Sequence, residues 1–163
     1  RPRRCPLPRA HRRYPTHAYP SLQHLVPPDS PARPVRLVGY LWALPVSLPA
    51  AGVVLLALAT GGTARWCDGA LESSGGILRG ILRRVYPPMS ITAITLGHVI
   101  LAQTDFDLDR TRAHERIHVR QYERWGPFFP ALYLAASLIA FLEGGDAYFD
   151  NRFEREARAA APM

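Results

Sequence analysis

Apolar and polar positions divide the chain into a polar tail, one long apolar stretch and a mixed remainder. Residues 37–60 are apolar almost throughout, and no charged residue occurs between Arg36 and Arg65. This length satisfies the roughly 20 residues that a membrane-spanning helix needs. A cleaved signal peptide is the alternative, but the stretch is longer than a usual signal core and lies well inside the chain. The pattern therefore predicts a transmembrane anchor over residues 37–62.

The segments after this anchor predict short elements of both kinds. Residues 77–86 combine aliphatic positions at helical spacing with arginines, which predicts a short basic amphipathic helix. Residues 90–103 are rich in β-branched side chains, which predicts one or two strands with a bend at Gly97. A polar turn follows, and the next helix is expected over about residues 109–125, before a Gly-Pro pair ends it.

A second apolar stretch, residues 128–142, is about 22 Å long as a helix. This is shorter than the roughly 30 Å of a hydrocarbon core, so we expect an interfacial, re-entrant or buried helix. A two-span hairpin protein without a site is the alternative. A last helix is expected over about residues 151–161. The predicted fold is mostly α with a short β segment (α+β): one transmembrane helix followed by a domain over residues 63–163.

Composition changes the interpretation of the N-terminal tail. Residues 1–36 hold eight arginines, one acid and nine of the sixteen prolines, whereas residues 37–163 hold twelve arginines and twelve acids. The tail cannot bury enough apolar surface to order itself, so we expect disorder. The net charge of +7 belongs to this tail. Nucleic-acid or anionic-lipid binding through its arginines is the alternative, and no specific nucleic-acid partner is expected.

Every basic residue is arginine and none is lysine. Together with abundant Ala, Pro and Gly, this composition is typical of a GC-rich bacterial coding sequence. The apolar stretch makes the lipid bilayer its expected partner. The bacterial composition makes a single pass through the inner membrane the expected location. Arginines on both sides of that stretch leave its orientation open.

The sequence HERIH, from His114 to His118, is the strongest chemical signal in the chain. On a helix, residues four apart lie on the same face, so both imidazoles can bind one divalent metal ion. Glu115 then lies beside a metal-bound water. Both histidines share their stripe with Gln121, opposite the arginines, which suits a metal better than an apolar core. Two structural histidines without a metal are the alternative.

A tetrahedral zinc site with two histidines and a water needs one more protein ligand. Glu154 and Glu156 are the candidates, and because they are about 200° apart on the last predicted helix, only one can face the site. Glu154 also stands at the third helical position after Asn151, where a capping-box role is the alternative.

HExxH followed by a downstream helix with E-x-x-A resembles the gluzincin metallopeptidases, especially membrane-bound proteases of the HtpX type and BlaR-type sensor peptidases. The resemblance covers about residues 90–160. It implies a minimal zincin-like domain in which His114, His118 and Glu154 bind Zn²⁺, with Ala157 in the matching place of the second motif.

Two further implications come from the same resemblance. The strand before the HExxH helix would be the edge on which a peptide substrate lies, which points to the segment around residues 97–101 by β-augmentation. In contrast, Arg158 stands where the family usually has an acid, so the outer-shell support of the metal departs from the family pattern.

The expected function is a membrane-anchored zinc metallopeptidase that hydrolyses peptide bonds with a metal-activated water. Glu115 would take the proton from that water and pass it to the leaving amine. His98 is a candidate donor of a hydrogen bond to the tetrahedral intermediate, although a lone histidine on a strand is more often structural. A peptide or membrane-proximal protein segment would be the substrate. The alternative is a non-catalytic integral membrane protein whose HERIH helix is structural or binds metal without turnover.

Overall fold

The computed structural model describes residues 37–85 and 91–161, and the tail predicted to be disordered lies outside them. The described chain forms five α-helices and four strands. In chain order they are α1 Leu37–Ala59, β1 Thr63–Cys67, β2 Ala70–Ser74, α2 Leu78–Val85, β3 Ala93–Leu96, β4 Val99–Ala102, α3 Asp105–Trp125, α4 Phe129–Leu142 and α5 Arg152–Ala160. A 3₁₀ turn, Gly126–Phe128, joins α3 to α4.

The strands form one mixed sheet in the order β1-β2-β4-β3. β1 pairs with β2 and β3 pairs with β4 in antiparallel fashion, whereas β2 and β4 are parallel. All four residues of β4 are buried, because it lies between two other strands. The predicted α+β class is therefore confirmed.

The bend expected at Gly97 lies in the turn between β3 and β4 and has a φ of +65°. A Cβ atom at this position would meet Ser47 Oγ at 2.1 Å, so only glycine lets α1 approach the turn this closely. Gly97 therefore allows both the tight turn of the β3–β4 hairpin and the close packing of α1 against that turn.

Helix α3 begins at Asp105, four residues before the predicted start. Thr104 caps it, because its hydroxyl oxygen accepts a hydrogen bond from the backbone N–H of Asp107 at 3.1 Å. Asp105 and Asp107 in the first turn also suit the positive end of the helix dipole. The sequence TDFDLD is therefore the first turn of the helix and its cap.

Helix α1 turns its small residues towards the rest of the protein and its large aliphatic residues outward. The buried positions are Gly39, Ala43, Ala50, Val54 and Ala57. On the opposite side, Leu37, Leu41, Leu48 and Leu55 are at least 60% exposed. A helix in a water-soluble core has the reverse arrangement, whereas small residues at helix contacts and leucines facing outward are typical of helices in lipid.

Helix α1 packs against the other elements along its length. Near its start, the Tyr40 hydroxyl donates to the Gly69 carbonyl at 2.5 Å. Midway, Ser47 Oγ accepts from the backbone N–H of His98 at 3.0 Å. Near its end, Ala50, Val54 and Ala57 share one apolar cluster with Leu78, Leu82, Val99 and Leu101. The helix predicted as an anchor and the α+β domain are therefore one packed unit.

Two helical stretches are long and apolar enough to cross a membrane. They are Leu37–Ala59, with a mean hydropathy of 2.1, and Asp105–Leu142, with a mean hydropathy of 1.6 in its most apolar part. The second runs from α3 through the 3₁₀ turn into α4, and its uncharged part is residues 125–142. Length and composition thus give two candidates, and the single pass expected from the sequence is not confirmed.

A buried carboxylate joins the sheet to α3. Glu72 on β2 is fully buried, and its two oxygens accept from Arg112 Nε at 3.0 Å and Arg112 Nη2 at 3.2 Å. Arg65 Nε on β1 lies 2.9 Å and Arg116 Nη2 lies 3.4 Å from the same carboxylate. This network fixes the HExxH helix on the sheet.

Glu72→Ala should lower the free energy of unfolding by about 3 kcal/mol, because it leaves arginines that are largely buried without their carboxylate. Denaturant unfolding of the purified protein in detergent measures this loss. Arg110→Ala is the matched control, since its side chain is 55% exposed and lies 4.0 Å from Asp107. The control should change stability by less than about 1 kcal/mol. Equal losses in the two variants would contradict a special role for Glu72.

Candidate metal centre

Three ligand atoms from two helices meet in the interior of the protein. His114 and His118 lie on α3, and their Nε2 atoms are 3.1 Å apart. Glu154 lies on α5, with Oε2 3.2 Å from His114 Nε2 and Oε1 3.2 Å from His118 Nε2. All three side chains are buried. The structure thus brings together the three residues that the sequence analysis selected as metal ligands.

The separations of these atoms fit one metal ion. Ligands at 2.0–2.1 Å from a tetrahedral zinc ion are roughly 3.3 Å from one another. The shortest separations in the cluster are 3.1, 3.2 and 3.2 Å, the last two to different oxygens of Glu154, and one ligand atom from each of the three side chains lies within 4.8 Å of the others. The Nε2 atoms of the two histidines face each other, so without an ion at least one of them must be protonated, whereas a metal ion could accept a lone pair from both. The His114, His118 and Glu154 side chains could therefore hold a metal ion.

The electrostatics of Glu154 agree with a ligand role. Burial by itself would raise the pKa of its carboxyl group, but hydrogen bonds with His114 and His118 hold that pKa well below its usual range. The charge of His118 and the hydroxyl of Tyr133 act in the same direction. Glu154 is therefore a carboxylate anion, which is the form that binds a metal ion.

The structure separates Glu154 from Glu156. Glu156 is exposed and accepts a hydrogen bond from Gln121 Nε2 at 3.0 Å, whereas Glu154 faces the two histidines. Asn151 caps α5 by itself, because its Oδ1 accepts from the backbone N–H of Phe153 at 2.9 Å. The Asn151 backbone N–H, which a capping box would direct at Glu154, donates to the Tyr148 carbonyl at 3.2 Å, so the Glu154 carboxylate belongs to the cluster.

Two side chains outside the ligand set form hydrogen bonds with the proposed ligands. Gln121 Oε1 lies 2.8 Å from His118 Nδ1, which makes Nδ1 the protonated nitrogen and leaves Nε2 for a metal. The Tyr133 hydroxyl donates to Glu154 Oε1 at 2.8 Å. Sequence analysis placed Gln121 on the histidine stripe but did not identify Tyr133. In the sequence, Tyr133 is marked only by its phenol group in a largely apolar helix.

Glu115 is buried beside the cluster and is oriented by the sheet. The Thr95 hydroxyl on β3 donates to Glu115 Oε2 at 2.7 Å and lies 3.2 Å from the Glu115 carbonyl oxygen. This contact fixes the carboxyl group of the residue next to His114. Sequence analysis did not single out Thr95, because the pairing of a strand residue with α3 is set by tertiary packing.

His98 lies in the turn between β3 and β4 and has other partners. Its ring stacks on Tyr40 with centroids 4.0 Å apart, and its Nε2 lies 3.4 Å from Glu123 Oε1. Burial lowers the pKa of His98, and the hydrogen bond and charge of Glu123 oppose that shift. Within residues 37–85 and 91–161, no hydrogen bond or ring contact joins His98 to the metal cluster.

Arg158, which stands at the position of the family's acid, is close to the cluster. Its Nη1 lies 3.7 Å from Glu154 Oε2, and another of its nitrogens donates to the Phe149 carbonyl. His114 Nδ1 is buried and has no hydrogen-bond partner among the described residues. Among the described residues, Gln121 and Tyr133 therefore support His118 and Glu154 Oε1, whereas Glu154 Oε2 and His114 Nδ1 have no hydrogen-bond partner outside the ligand set.

The strand expected to hold the substrate is not an edge strand. Residues 97–101 cover β4, and β4 pairs with β2 on one side and β3 on the other. Both of its backbone edges are occupied, so the prediction of a substrate edge there was wrong. In the described sheet, the edge nearest Glu115 is β3, which pairs only with β4 and carries Thr95.

Helix α4 does not separate the ligands across a bilayer. Tyr133, near its start, contacts Glu154, and Asn151 Nδ2 donates to the Tyr133 carbonyl at 3.0 Å and to Ser137 Oγ at 2.8 Å. From Tyr133 to Leu142 the helix extends only about 13 Å. The chain then returns to the cluster, as the metal hypothesis requires.

A comparison of the chain with models of protein families, with curated proteins and with solved structures found no match. The resemblance to gluzincins therefore rests on the motif residues alone.

His118→Ala and Glu154→Ala should each abolish stoichiometric zinc binding, because each removes one of three convergent ligands. Inductively coupled plasma mass spectrometry of the detergent-purified protein measures this, with about one zinc per chain expected before substitution. Glu156→Ala is the matched control and should retain zinc. If Glu156→Ala loses zinc and Glu154→Ala retains it, Glu156 is the third ligand and the assignment of Glu154 is wrong.

Gln121→Leu should weaken zinc binding by about 10- to 100-fold, since His118 Nδ1 loses the acceptor that orients the ring. Competition with a chromogenic chelator gives the dissociation constant. Gln121→Glu combined with Glu156→Gln keeps an acceptor for His118 Nδ1 without placing two carboxylates together, and this double variant should keep most of the affinity. If both variants weaken binding equally, the effect comes from packing and not from the hydrogen bond.

Proposed function

We propose that this protein is a membrane-bound zinc metallopeptidase of the gluzincin type. One observation carries the proposal: two histidines four residues apart and a glutamate from another helix converge at metal-ligand spacing, with Glu115 held next to them. Two histidines and a glutamate are a ligand set that catalytic zinc sites use, with one position left open.

A bound zinc ion would polarise the scissile carbonyl and make a water acidic enough to attack at neutral pH. Glu115 is the general base of the proposal. It accepts the proton of the attacking water and then donates it to the amine that leaves. The Thr95 hydroxyl, 2.7 Å from Glu115 Oε2, keeps the carboxylate oriented through both transfers.

Within the described sheet, β3 pairs on one side only, and this open edge supports a peptide as the substrate. An extended peptide can add to an open sheet edge through backbone hydrogen bonds, and these bonds do not depend on the sequence of the peptide. Because Thr95 on β3 contacts Glu115, a peptide bond laid along this edge would lie beside the general base. This proposal replaces β4 with β3 as the docking strand.

The exposed leucines of α1 support a bilayer as the environment. Helix α4 adds a second apolar surface, because Leu134, Leu138, Phe141 and Leu142 are all more than half exposed. A contiguous exposed apolar surface of this kind is unfavourable in water and favourable in lipid. Since α4 also carries Tyr133 at the cluster, the proposed substrate is a peptide segment close to the membrane.

Glu115→Gln should reduce peptide hydrolysis by about a hundredfold or more while zinc remains bound, because the amide cannot accept the proton of the water. Cleavage of a mixture of fluorescence-quenched peptides by the zinc-loaded protein is the readout, with metal content measured on the same sample. Glu143→Gln is the matched control, since Glu143 is exposed.

The same assay separates catalysis from structural metal binding. Full turnover by zinc-loaded Glu115→Gln would remove Glu115 from the mechanism. If the unsubstituted protein bound zinc and cleaved no peptide in the mixture, the non-catalytic membrane protein would be the better interpretation.

A further inference from the structure

Helix α2 buries Leu78 and Leu82 and exposes the other residues between positions 79 and 84. Leu78 and Leu82 are fully or almost fully buried against α1 and β4. The opposite side of the helix exposes Arg79, Arg83 and Arg84 around Gly80. These four residues, with Gly76, line a shallow depression on the protein surface.

No acid lies within ion-pair distance of the three arginines of α2 among the described residues, whereas Arg65, Arg112 and Arg116, which fix α3 on the sheet, all pair with Glu72. The nearest acid along the adjoining cleft is Asp105, which shares that cleft with Arg79 and accepts hydrogen bonds from Ser74 and Thr63. Three unpaired guanidinium groups on one short helix form a local excess of positive charge.

An apolar flank accompanies this charge. Ile77 and Ile81 are 40% and 39% exposed, and at helical spacing they share one side next to the arginines. The backbone N–H of Ile77 donates to Thr60 Oγ1 at 2.8 Å, which places this flank at the C-terminal end of α1. The outward residues of α1 nearest that end are Leu55, Leu56 and Leu58.

We propose that the exposed side of α2 binds the headgroups of anionic phospholipids. If α1 lies in lipid, the level at which it ends is where headgroup phosphates are found, and there Arg79, Arg83 and Arg84 meet them while Ile77 and Ile81 contact the acyl boundary. Each guanidinium stays charged and donates hydrogen bonds to phosphate oxygens, and its charge supplies most of the attraction to an anionic headgroup. The inference rests on the proposed membrane placement and is independent of peptidase activity.

The test is the lipid composition that the protein retains. The full chain is reconstituted in nanodiscs of phosphatidylcholine with a minor fraction of phosphatidylglycerol, released gently, and examined by native mass spectrometry. The unsubstituted protein should retain phosphatidylglycerol in preference to phosphatidylcholine. The triple variant Arg79→Gln, Arg83→Gln, Arg84→Gln should lose that preference by up to about a hundredfold, at about fivefold for each arginine.

Two variants control for charge and for folding. The triple variant Arg110→Gln, Arg120→Gln, Arg124→Gln removes the same charge from exposed positions of α3 and should keep the preference. Replacing the three α2 arginines by lysine retains the charge, so this variant should keep most of the preference for phosphatidylglycerol. Glycerol phosphate in excess should not displace the bound lipid, because it lacks the acyl chains that contact Ile77 and Ile81.

Four results would overturn the inference. The first is an unsubstituted protein without a preference for phosphatidylglycerol, and the second is an equal loss of that preference in the two glutamine triples. The third is a loss of preference in the lysine triple as large as in the α2 glutamine triple. The fourth is complete displacement of the bound lipid by glycerol phosphate. Carbonate extraction of native membranes separates this failure from that of the proposed placement. Protein that stays in the extracted membranes without selecting phosphatidylglycerol refutes only the lipid site, whereas protein that is washed out refutes the placement on which it rests.

Discussion

The carboxylate of Glu154 lies between two imidazoles in the protein interior, and the rest of the structure depends on satisfying it. A buried carboxylate is strongly destabilising unless positive charge and hydrogen bonds surround it. Meeting that requirement brings α5 back to the face of α3 that carries His114 and His118. It also determines the path of α4, which carries Tyr133 to the Glu154 carboxylate before the chain continues into α5.

The same packing joins the site to the apolar surface of the molecule. Tyr133 belongs to α4, which exposes large aliphatic side chains, yet its hydroxyl donates to Glu154. Helix α1 contacts the turn beside His98 and shares a cluster with β4 and α2. Ala43 of α1 also shares an apolar cluster with Phe129 of α4 and Phe153 of α5. Removal of either apolar helix would therefore disturb the packing around His114, His118 and Glu154, so the apolar helices and the candidate catalytic elements form one structural unit.

The sheet has a comparable role for Glu115. The Glu72 carboxylate and its arginines fix α3 against β2, and Thr95 on β3 fixes the Glu115 side chain. A general base needs its carboxylate held within hydrogen-bond reach of the reacting water, so precise seating of α3 is a condition for the proposed chemistry. The four-stranded sheet is small, but it supplies both the position of the helix and the only free edge near the base in the described chain.

The sequence by itself determined whatever depends on local spacing. The apolar run of α1, the strand pair around Gly97, the shared face of His114 and His118 and a last helix with Glu154 on it all follow from residues a few positions apart, because helix and strand periodicity are local properties. Only the tertiary structure decided that Glu154 and not Glu156 faces the histidines, that β3 and not β4 is the open edge, and that Thr95 and Tyr133 support the site. These outcomes depend on how distant segments pack, since strand order and the rotation of one helix against another are set by contacts between residues far apart in the chain.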